Sequence, residues 1–298
     1  MATLILVIGA TGTVGRELVK QLSERDIEVR AFSRCPDRAD FPEGARIEIA
    51  KGDLGIPHTI EAALEGVDKA FLASSADPAQ VELQGNFVRA AQKTGIRHIV
   101  KLSTLSASPK ATFAQGRWHR ETEIEIEDSG IPFTFLRPHN FMQNTLNFAP
   151  SIVSDGVLRA PLGDARISMI DARDVAAVAA AALTEGGHEG RIYRLTGPEA
   201  LSFYQIAETI SAVIGRKVAY VSVNLEEAHR EMLEAGMSKW QADDLIGLYR
   251  QFQAGKGARL WDDVLRVTKK KPISFEQFVL DYAHIFKGDQ AAKRRELL

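Results

Sequence analysis

The strongest constraint on the fold is a repeated alternation of short apolar segments with helical patterns through the first half of the chain. The first segment, Leu4 to Ile8, leads through the glycine-rich sequence GATGTVG at residues 9–15 into a helical pattern from about Thr13. The strand-like segments are residues 4–8, 28–32, 46–50, 69–73, 98–102 and 133–136. Parallel strands need crossover connections, and crossover helices must bury their apolar faces against the sheet. The sequence therefore predicts an α/β fold built on a doubly wound parallel sheet.

The second half of the chain has a different pattern. An alanine-rich helix is predicted over about Asp174 to Leu183, with Asp174 as its N-cap. Farther on, helical patterns dominate, and Ser202 and Ser274 each begin a capping-box sequence. Open α/β sheets bind ligands at the C-terminal ends of their strands, so a lobe packed there would complete a binding site. We predict a larger sheet domain, residues 1–140 with about 174–197, and a smaller, helix-rich substrate-binding lobe, residues 141–173 and 198–298.

Composition and charge exclude several classes of function. The 298 residues carry a formal net charge of −2, which gives no electrostatic drive toward nucleic acid or an anionic membrane. The apolar segments are only as long as strands, and the N-terminus lacks a signal-peptide pattern, so a cytoplasmic location is expected. A single cysteine, Cys35, excludes an intrachain disulfide, and the seven histidines show no ligand spacing, so no metal site is predicted.

The glycine-rich sequence GATGTVG is predicted to bind a pyrophosphate. Between a strand and a helix, it brings free backbone N–H groups and the positive end of the helix dipole to one point. Gly9 permits the turn, Gly12 lets phosphates approach the backbone, and Gly15 lets the helix pack against the strand. The alternative is a tight turn without a ligand, but the flanking strand, the helix and the repeated β–α pattern favour dinucleotide binding. The predicted cofactor-binding residues of this loop are Gly9, Thr11, Gly12, Thr13, Val14 and Gly15.

The end of the second strand distinguishes between the two nicotinamide dinucleotides. An acidic residue at this point would bind the 2′-hydroxyl of the adenosine ribose. The chain has Ser33 and Arg34 instead, followed by Arg38, and a guanidinium suits a 2′-phosphate through charge-assisted hydrogen bonds. These three residues are therefore predicted to bind NADP(H) in preference to NAD(H). Arg38 is explained equally well as a solvated surface residue.

Several further motifs give the chain a specific resemblance to one protein family. They are GDL at residues 52–54, KLSTLS at 101–106, HRETE at 119–123, SGIPFTFLRP at 129–138 and SMID at 168–171. Together with GATGTVG they resemble the NmrA-like family of atypical short-chain dehydrogenase/reductases. The resemblance covers nearly the whole chain and implies a Rossmann-type NAD(P)-binding fold. It is specific for the family and not for one activity.

The resemblance also implies roles for residues at the ends of later strands. Asp53 would accept a hydrogen bond from the adenine amino group, and Leu54 would cover the face of the ring. Ser103, at the end of the fifth strand, would lie near the substrate carbonyl. The end of the fourth strand would face the pyrophosphate and the nicotinamide ribose through Ala73, Ser74 and Ser75.

The segment directly after the sixth strand is predicted to line the pocket over the nicotinamide. An apolar pocket with a few amide groups suits a flat hydrophobic substrate. Packing between the lobes explains the apolar members of this segment nearly as well. The predicted cofactor contacts are Pro138 and Phe141, and the predicted substrate contacts are Asn140, Phe141, Met142 and Asn144.

Related dehydrogenases carry Tyr-x-x-x-Lys on the helix after the fifth strand, and counting places Gln115 at the tyrosine position and His119 at the lysine position. Glutamine cannot donate a proton of suitable acidity, which disfavours tyrosinate-type chemistry. His119 is therefore a predicted catalytic residue and is also expected to contact the nicotinamide ribose. The resemblance implies Ser103 as the second predicted catalytic residue. The imidazole of His119 is expected to titrate near neutrality, with Glu123 one turn away to orient it. The alternative is a half-buried histidine without chemistry.

Two functions remain open from the sequence alone. The first is an NADPH-dependent oxidoreductase that transfers hydride to a small conjugated substrate such as a quinone, a reaction that needs little acid–base machinery. The second is a non-catalytic redox sensor that binds NAD(P)H and acts through a regulatory protein partner, as the missing Tyr-x-x-x-Lys allows. In neither case is direct binding to nucleic acid or to a membrane expected.

Overall fold

A computed structural model of the chain describes residues 3–25, 27–36, 41 and 46–289. Seven strands form one sheet, and they are β1 (Leu4–Ile8), β2 (Glu28–Ser33), β3 (Ile47–Lys51), β4 (Lys69–Leu72), β5 (His98–Leu102), β6 (Phe133–Pro138) and β9 (Arg191–Leu195). All their pairings are parallel, and their spatial order is β3, β2, β1, β4, β5, β6, β9. The order reverses between β1 and β4, which is the switch point where sheets of this kind bind ligands.

The described residues also form helices, some of which cover the two faces of this sheet. The helices are α1 (Thr13–Ser23), α2 (Pro57–Leu64), α3 (Gln80–Thr94), α4 (Ala114–Asp128), α5 (Ala149–Asp155), α6 (Ala172–Thr184), α7 (Phe203–Ile214), α8 (Leu225–Glu234), α9 (Lys239–Gln253), α10 (Asp263–Thr268), α11 (Phe275–Asp281) and α12 (Ala283–Lys287). Successive strand side chains point to opposite faces, so Ile5 of β1 packs with α1 and α6, whereas Leu6 packs with α2, α3 and α4. The prediction of a doubly wound, Rossmann-type parallel sheet is confirmed.

A separate apolar cluster lies outside the central sheet and takes its members from residues 142–286. Two small sheets support it, formed by β7 (Val157–Ala160) with β11 (Ala219–Ser222) and by β8 (Arg166–Ile167) with β10 (Leu201–Ser202). A 3₁₀ helix, Met142–Phe148, leads into it from β6. Val264 of α10 instead packs in the cluster of β1 and α6. The division of the chain into two lobes at the boundaries given above stays a prediction.

Helix α4 begins at Ala114, one turn before the helical pattern of the sequence, which starts at about Trp118. The carboxylate of Asp244, in α9, accepts hydrogen bonds from the backbone N–H groups of Ala114 and Gln115. The first N–H groups of a helix have no partner within the helix, so this carboxylate stabilises the additional turn. Asp244 is buried, and burial raises the pKa of its carboxyl. A cap supplied by a distant helix leaves no local sequence signal.

Helix α6 is capped by Asp171, so the prediction of Asp174 as its N-cap is wrong. Oδ1 of Asp171 accepts a hydrogen bond from the backbone N–H of Arg173 at 2.8 Å. Asp174 lies inside the first turn, where its Oδ2 accepts a hydrogen bond from the backbone N–H of Ile273 at 2.8 Å. The second carboxylate therefore ties the segment before α11 to α6.

Candidate functional site

The turn between β1 and α1 is too tight for side chains at two of its glycines. Gly9 has a φ of +75°, and a Cβ there would lie 2.8 Å from the carbonyl oxygen of Ala73. A Cβ on Gly15 would lie 2.0 Å from the carbonyl oxygen of Gly9, well inside van der Waals contact. The backbone N–H of Gly12 donates to that same oxygen at 2.9 Å. The turn therefore brings the ends of β1, β4 and α1 together.

The N-terminus of α1 is open for an anion. Its N-cap is Gly12, which offers no side chain to the first N–H groups, and the first turn holds no acidic residue. The hydroxyl-bearing Thr13 is exposed and Thr11 is half-buried, while Val14 is buried in the apolar cluster. Free N–H groups and the helix dipole together favour a phosphate at this point. The residues present thus fit the pyrophosphate of a dinucleotide.

The end of β2 presents one cation. Arg34 is exposed, and no hydrogen bond or ion pair joins it to another residue in the described ranges. Ser33 is buried, and its Oγ accepts a hydrogen bond from the backbone N–H of Cys35 at 3.2 Å. Arg38, the third predicted contact to a 2′-phosphate, lies outside the described residues. Arg34 is therefore positioned at the strand end without an internal partner among the described side chains.

The turn after β3 contains the residues predicted to bind adenine. Leu54 is buried against the sheet, and Asp53 is half-buried. Oδ1 of Asp53 accepts a hydrogen bond from the backbone N–H of Gly55 at 2.8 Å. That bond uses one carboxylate oxygen for the turn itself and leaves Oδ2 for a ligand.

Ser74, just after β4, has a hydroxyl oxygen that accepts a hydrogen bond from α3. Nε2 of Gln84, in α3, donates to Oγ of Ser74 at 2.8 Å, so the proton of Ser74 is free for another acceptor. Gln84 is fully buried, and its Oε1 has no hydrogen-bond partner among the described residues. One turn earlier, Nε2 of the buried Gln80 is likewise unpartnered in the described part of the chain. Ala73 is buried, and Ser75 is exposed beyond it.

Ser103, at the end of β5, belongs to a buried polar network. Its Oγ donates to Oε1 of Glu123 in α4 at 2.7 Å. The same carboxylate accepts two hydrogen bonds from Arg137 in β6, at 2.9 and 2.5 Å, and one from Arg120 at 3.2 Å. Bidentate pairing with a guanidinium is the strong form of such contacts. Ser103 therefore directs its proton to Glu123 and presents only oxygen lone pairs to a ligand.

His119 and Lys101 form a second polar pair on the same side of the sheet. Nζ of Lys101, in β5, lies 2.9 Å from Nδ1 of His119 and donates to the carbonyl oxygen of Leu102 at 3.1 Å. Lys101 is fully buried, and burial lowers its pKa to about 7. Burial and the neighbouring Lys101 hold the pKa of His119 well below its usual value. At neutral pH the imidazole is therefore uncharged.

This geometry corrects two expectations for His119. Its imidazole does not titrate near neutrality, because desolvation and the adjacent lysine both disfavour the imidazolium. Glu123 does not orient it, because that carboxylate bonds Ser103, Arg120 and Arg137. Lys101 makes the contact to Nδ1 instead, and no hydrogen bond joins Nε2 to a residue in the described ranges.

The segment after β6 is partly core. Met142 is buried in the apolar cluster of residues 142–286, and its backbone N–H donates to the carbonyl oxygen of Ile170 at 2.8 Å. Phe141 is half-buried and pairs with Ile170 in a parallel bridge, and Pro138 is buried at the end of β6. The side chains of Asn140 and Asn144 bond each other at 2.9 Å. Among the predicted substrate residues, the two asparagines and Phe141 are therefore the accessible ones.

A histidine of this segment carries an unpaired atom. His139 is buried, with Nδ1 unpartnered among the described side chains, and burial lowers its pKa to about 4. Its ring lies 5.3 Å from that of Phe252. Phe252 also lines an open cleft of about 510 Å³, together with Leu162, Gly163, Asp164, Ala165, Arg166, Gln253, Gly255 and Ala258. No local sequence pattern marks this cleft, because its walls come from segments far apart along the chain.

Sequence reasoning also missed three residues of the site itself. Lys101 stands inside an apolar strand, and its position in KLSTLS marked it only as part of a motif. Arg137 pairs with Glu123 across β6 and α4, a contact between segments that no local pattern reveals. Gln84 lies on the buried face of α3. Glutamine is rarely fully buried, so a glutamine at this position is the one sequence signal that could have identified it.

Two further observations concern membrane-spanning helices and metal sites. None of the helices in residues 3–25, 27–36 and 46–289 combines the length and the apolar composition needed to cross a membrane. Within the same ranges, no group of three or more His, Cys, Asp and Glu side chains is placed to hold a metal ion.

Comparison with known proteins agrees with this geometry. The sequence matches the model of the NmrA-like family over residues 1–268. An NAD(P)H azoreductase from Xenophilus azovorans is 38% identical over 283 residues, covering 95% of this chain and 99% of that protein. A (4-alkanoyl-5-oxo-2,5-dihydrofuran-3-yl)methyl phosphate reductase from Streptomyces griseus is 38% identical over 284 residues, with 95% and 99% covered. The structure of an NADPH-dependent quinone oxidoreductase from Escherichia coli, complexed with NADPH, matches with a TM-score of 0.85 at 26% identity, covering 94% of this chain and 99% of that one. This chain belongs to the NmrA-like family.

Proposed function

We propose that this protein is an NADPH-dependent oxidoreductase that reduces a small conjugated substrate such as a quinone or an azo compound. The observation that carries the proposal is the tight turn at Gly9 and Gly15 between β1 and α1. It leaves the first N–H groups of α1 without a side-chain cap, next to the polar residues at the ends of β4 and β5. The names of the relatives support the same chemistry, since an NAD(P)H azoreductase and a second reductase are each 38% identical over 95% of the chain.

The cofactor is NADP(H) in preference to NAD(H). Arg34 is exposed at the end of β2, where an acidic residue would be needed to bind a free 2′-hydroxyl. Its guanidinium pairs with a 2′-phosphate without breaking an internal contact of the described chain. The glycine turn binds the pyrophosphate, and Asp53 and Leu54 bind the adenine. Ser74 donates a hydrogen bond to the cofactor, because Gln84 donates to the Ser74 oxygen and leaves the hydroxyl proton free.

The polar groups at β5 and α4 determine which substrates suit the site. The reduced nicotinamide, when bound, supplies a hydride. Ser103 gives its proton to Glu123, so it cannot donate to a substrate carbonyl in this arrangement. His119 is the remaining donor, through Nε2 of a neutral imidazole, which is a weak acid. Conjugated acceptors spread the incoming negative charge over several atoms and need only such a weak donor, whereas simple aldehydes need a stronger one.

Turnover with a panel of acceptors tests this proposal. Purified protein is mixed with NADPH and with quinones, azo dyes, triphenylmethane dyes or aldehydes, and the loss of absorbance of the reduced cofactor is followed. We expect turnover of conjugated acceptors and little of aldehydes. A Gly15→Ala variant prepared in parallel is the control, because it lacks a closed glycine turn and should not oxidise NADPH.

Binding without turnover is the contradicting result. If the protein binds NADPH tightly and reduces no member of the panel, the oxidoreductase proposal is wrong. The dinucleotide would then be sensed, and a regulatory protein partner would receive the signal.

A further inference from the structure

Lys101 is a buried cation in an otherwise apolar stretch of β5. It is completely inaccessible to solvent, and lysines are rarely buried in this way unless a carboxylate pairs with them. Its ammonium makes two contacts, to the carbonyl oxygen of Leu102 at 3.1 Å and to Nδ1 of His119 at 2.9 Å. No described carboxylate forms an ion pair with it. Packing alone would favour an apolar side chain here.

The charges around Lys101 come from two elements. From α4 it faces His119 and Glu123, and from β6 it faces Arg137. Glu123 is engaged by Arg137 and Arg120, at 2.5 and 3.2 Å, so its negative charge is already paired. Burial therefore dominates and lowers the pKa of Lys101 to about 7. The lysine can change its protonation state at neutral pH, which an exposed lysine cannot do.

The contact between Lys101 and His119 fixes the imidazole tautomer. While Lys101 is charged, its ammonium has three donors and no acceptor, so Nδ1 of His119 must accept. The proton of the neutral ring then lies on Nε2, the atom that bonds no described residue. Without the lysine, either ring nitrogen could carry it.

Resting on the oxidoreductase proposed above, we propose that Lys101 is a positioning residue that holds His119 as the Nε2–H tautomer and resupplies its proton through Nδ1. When the substrate atom made basic by reduction takes the proton from Nε2, the ammonium of Lys101 gives one proton to Nδ1. The imidazole ends neutral with its proton on Nδ1, and Lys101 ends as a neutral amine. A proton from solvent then enters at Nε2, and the proton on Nδ1 returns to the amine of Lys101, which restores both the ammonium and the Nε2–H tautomer.

Nitrogen NMR of His119 tests the contact without any turnover. Protein labelled with ¹⁵N-histidine is titrated, and the His119 signals are assigned by their loss in His119→Asn. We expect a ring that stays neutral through the neutral range, because burial and Lys101 both oppose protonation, and that carries its proton on Nε2 while Lys101 is charged. In Lys101→Met the like charge is gone, and the pKa of His119 should rise by about one unit. A wild-type ring protonated on Nδ1 while Lys101 is charged, or one that titrates at its ordinary pKa, would overturn the proposal.

Lys101→Arg separates holding the tautomer from supplying the proton. Arginine stays charged and keeps a donor, so the His119 spectrum should be retained, but it does not release a proton at neutral pH. We expect kcat to fall by about 100-fold in Lys101→Arg and in Lys101→Met, with the Kd for NADPH unchanged. The wild-type kcat should fall as the pH rises through about 7, and the Arg variant should lack that inflection.

Lys69→Met is the matched control, because Lys69 is a partly buried lysine at the opposite end of the neighbouring strand β4. It should change neither the His119 spectrum nor kcat. A Lys101→Arg variant with wild-type kcat and the wild-type pH profile would refute the proton supply. A wild-type protein that binds NADPH but reduces nothing would refute the oxidoreductase proposal, while the spectra would still decide the Lys101 contact.

Discussion

Ser103 Oγ lies 2.7 Å from Glu123 Oε1 and donates its proton to it. Through this bond and the paired contacts to Arg137, one carboxylate joins the ends of β5 and β6 to the middle of α4. The Glu123 side chain is fully buried, so its charge depends on these partners for stabilisation. The network therefore sets the distance between α4 and the sheet at the point where the substrate is proposed to bind.

Glu123→Gln should destabilise the fold strongly. The substitution keeps the shape but leaves the Arg137 guanidinium without its buried counter-ion, and breaking such a pair costs about 3 kcal/mol or more. The free energy of unfolding from urea titration measures the effect. Glu127→Gln is the control, since Glu127 pairs with Arg120 near the surface and should contribute less than about 1 kcal/mol. Equal losses of unfolding free energy in the two variants would show that the buried network stabilises the fold no more than a surface ion pair does.

Gly15→Ala should impair both folding and cofactor binding. Its Cβ would fall 2.0 Å from the carbonyl oxygen of Gly9, a backbone atom that can move only if the turn opens. Overpacking of this kind costs about 1–3 kcal/mol, and the opened turn no longer presents its N–H groups to a phosphate. Thermal unfolding and calorimetric binding of NADPH measure the two effects. Gly186→Ala, where an added Cβ meets nothing within 4 Å, should leave both unchanged.

Arg34→Ala should reduce the affinity for NADPH and leave that for NADH almost unchanged. A lost charge-assisted contact to a 2′-phosphate weakens binding by about 1–3 kcal/mol. The two Kd values are measured by fluorescence of the reduced cofactors. Lys51→Ala removes an exposed cation paired in register with Ser33 and should affect both cofactors little. If Arg34→Ala weakens NADH as much as NADPH, the arginine does not recognise the 2′-phosphate.

Asp174→Asn should flatten the pH dependence of stability. Burial raises the pKa of Asp174 to about 7, above its value in the unfolded chain, so the folded state favours the protonated carboxyl. In the wild type, Asp174 makes its full contribution to the free energy of unfolding below about pH 4, and this contribution is lost as the pH rises through about 7. The variant keeps an acceptor for the N–H of Ile273 and should gain up to about 4 kcal/mol over wild type at pH 8. Urea titrations across this range measure the difference, which should vanish at low pH.

The features that the sequence predicted well are local ones. Strands β1 and β5 begin and end at the predicted residues, because apolar segments bounded by turn residues define them. The glycine turn could be predicted because strand, glycines and helix are adjacent in the chain. At Ser202, both hydrogen bonds of the predicted capping box are present, since its partner Gln205 lies three residues away.

The features that the sequence did not predict depend on contacts between distant segments. The spacing along α4 predicted that Glu123 orients His119. Arg137 in β6 instead makes two hydrogen bonds to the Glu123 carboxylate, and this bidentate pairing is the stronger contact. The pKa of His119 is lowered by its burial and by Lys101, which lies 18 positions away in β5. Asp171 and Asp174 are equally good caps by residue type, and only the start of α6 decides between them.

The capping of α4 by Asp244 affects the order in which parts of the chain can fold during synthesis. The hydrogen bonds of this cap join residues 130 and 129 positions apart. During synthesis the first turn of α4 therefore lacks its carboxylate until α9 has left the ribosome. The glycine turn needs only Gly9, Gly15 and Ala73, all near the start of the chain. The cofactor loop can thus form early in translation, whereas the helix that carries His119 is finished only when most of the polypeptide exists.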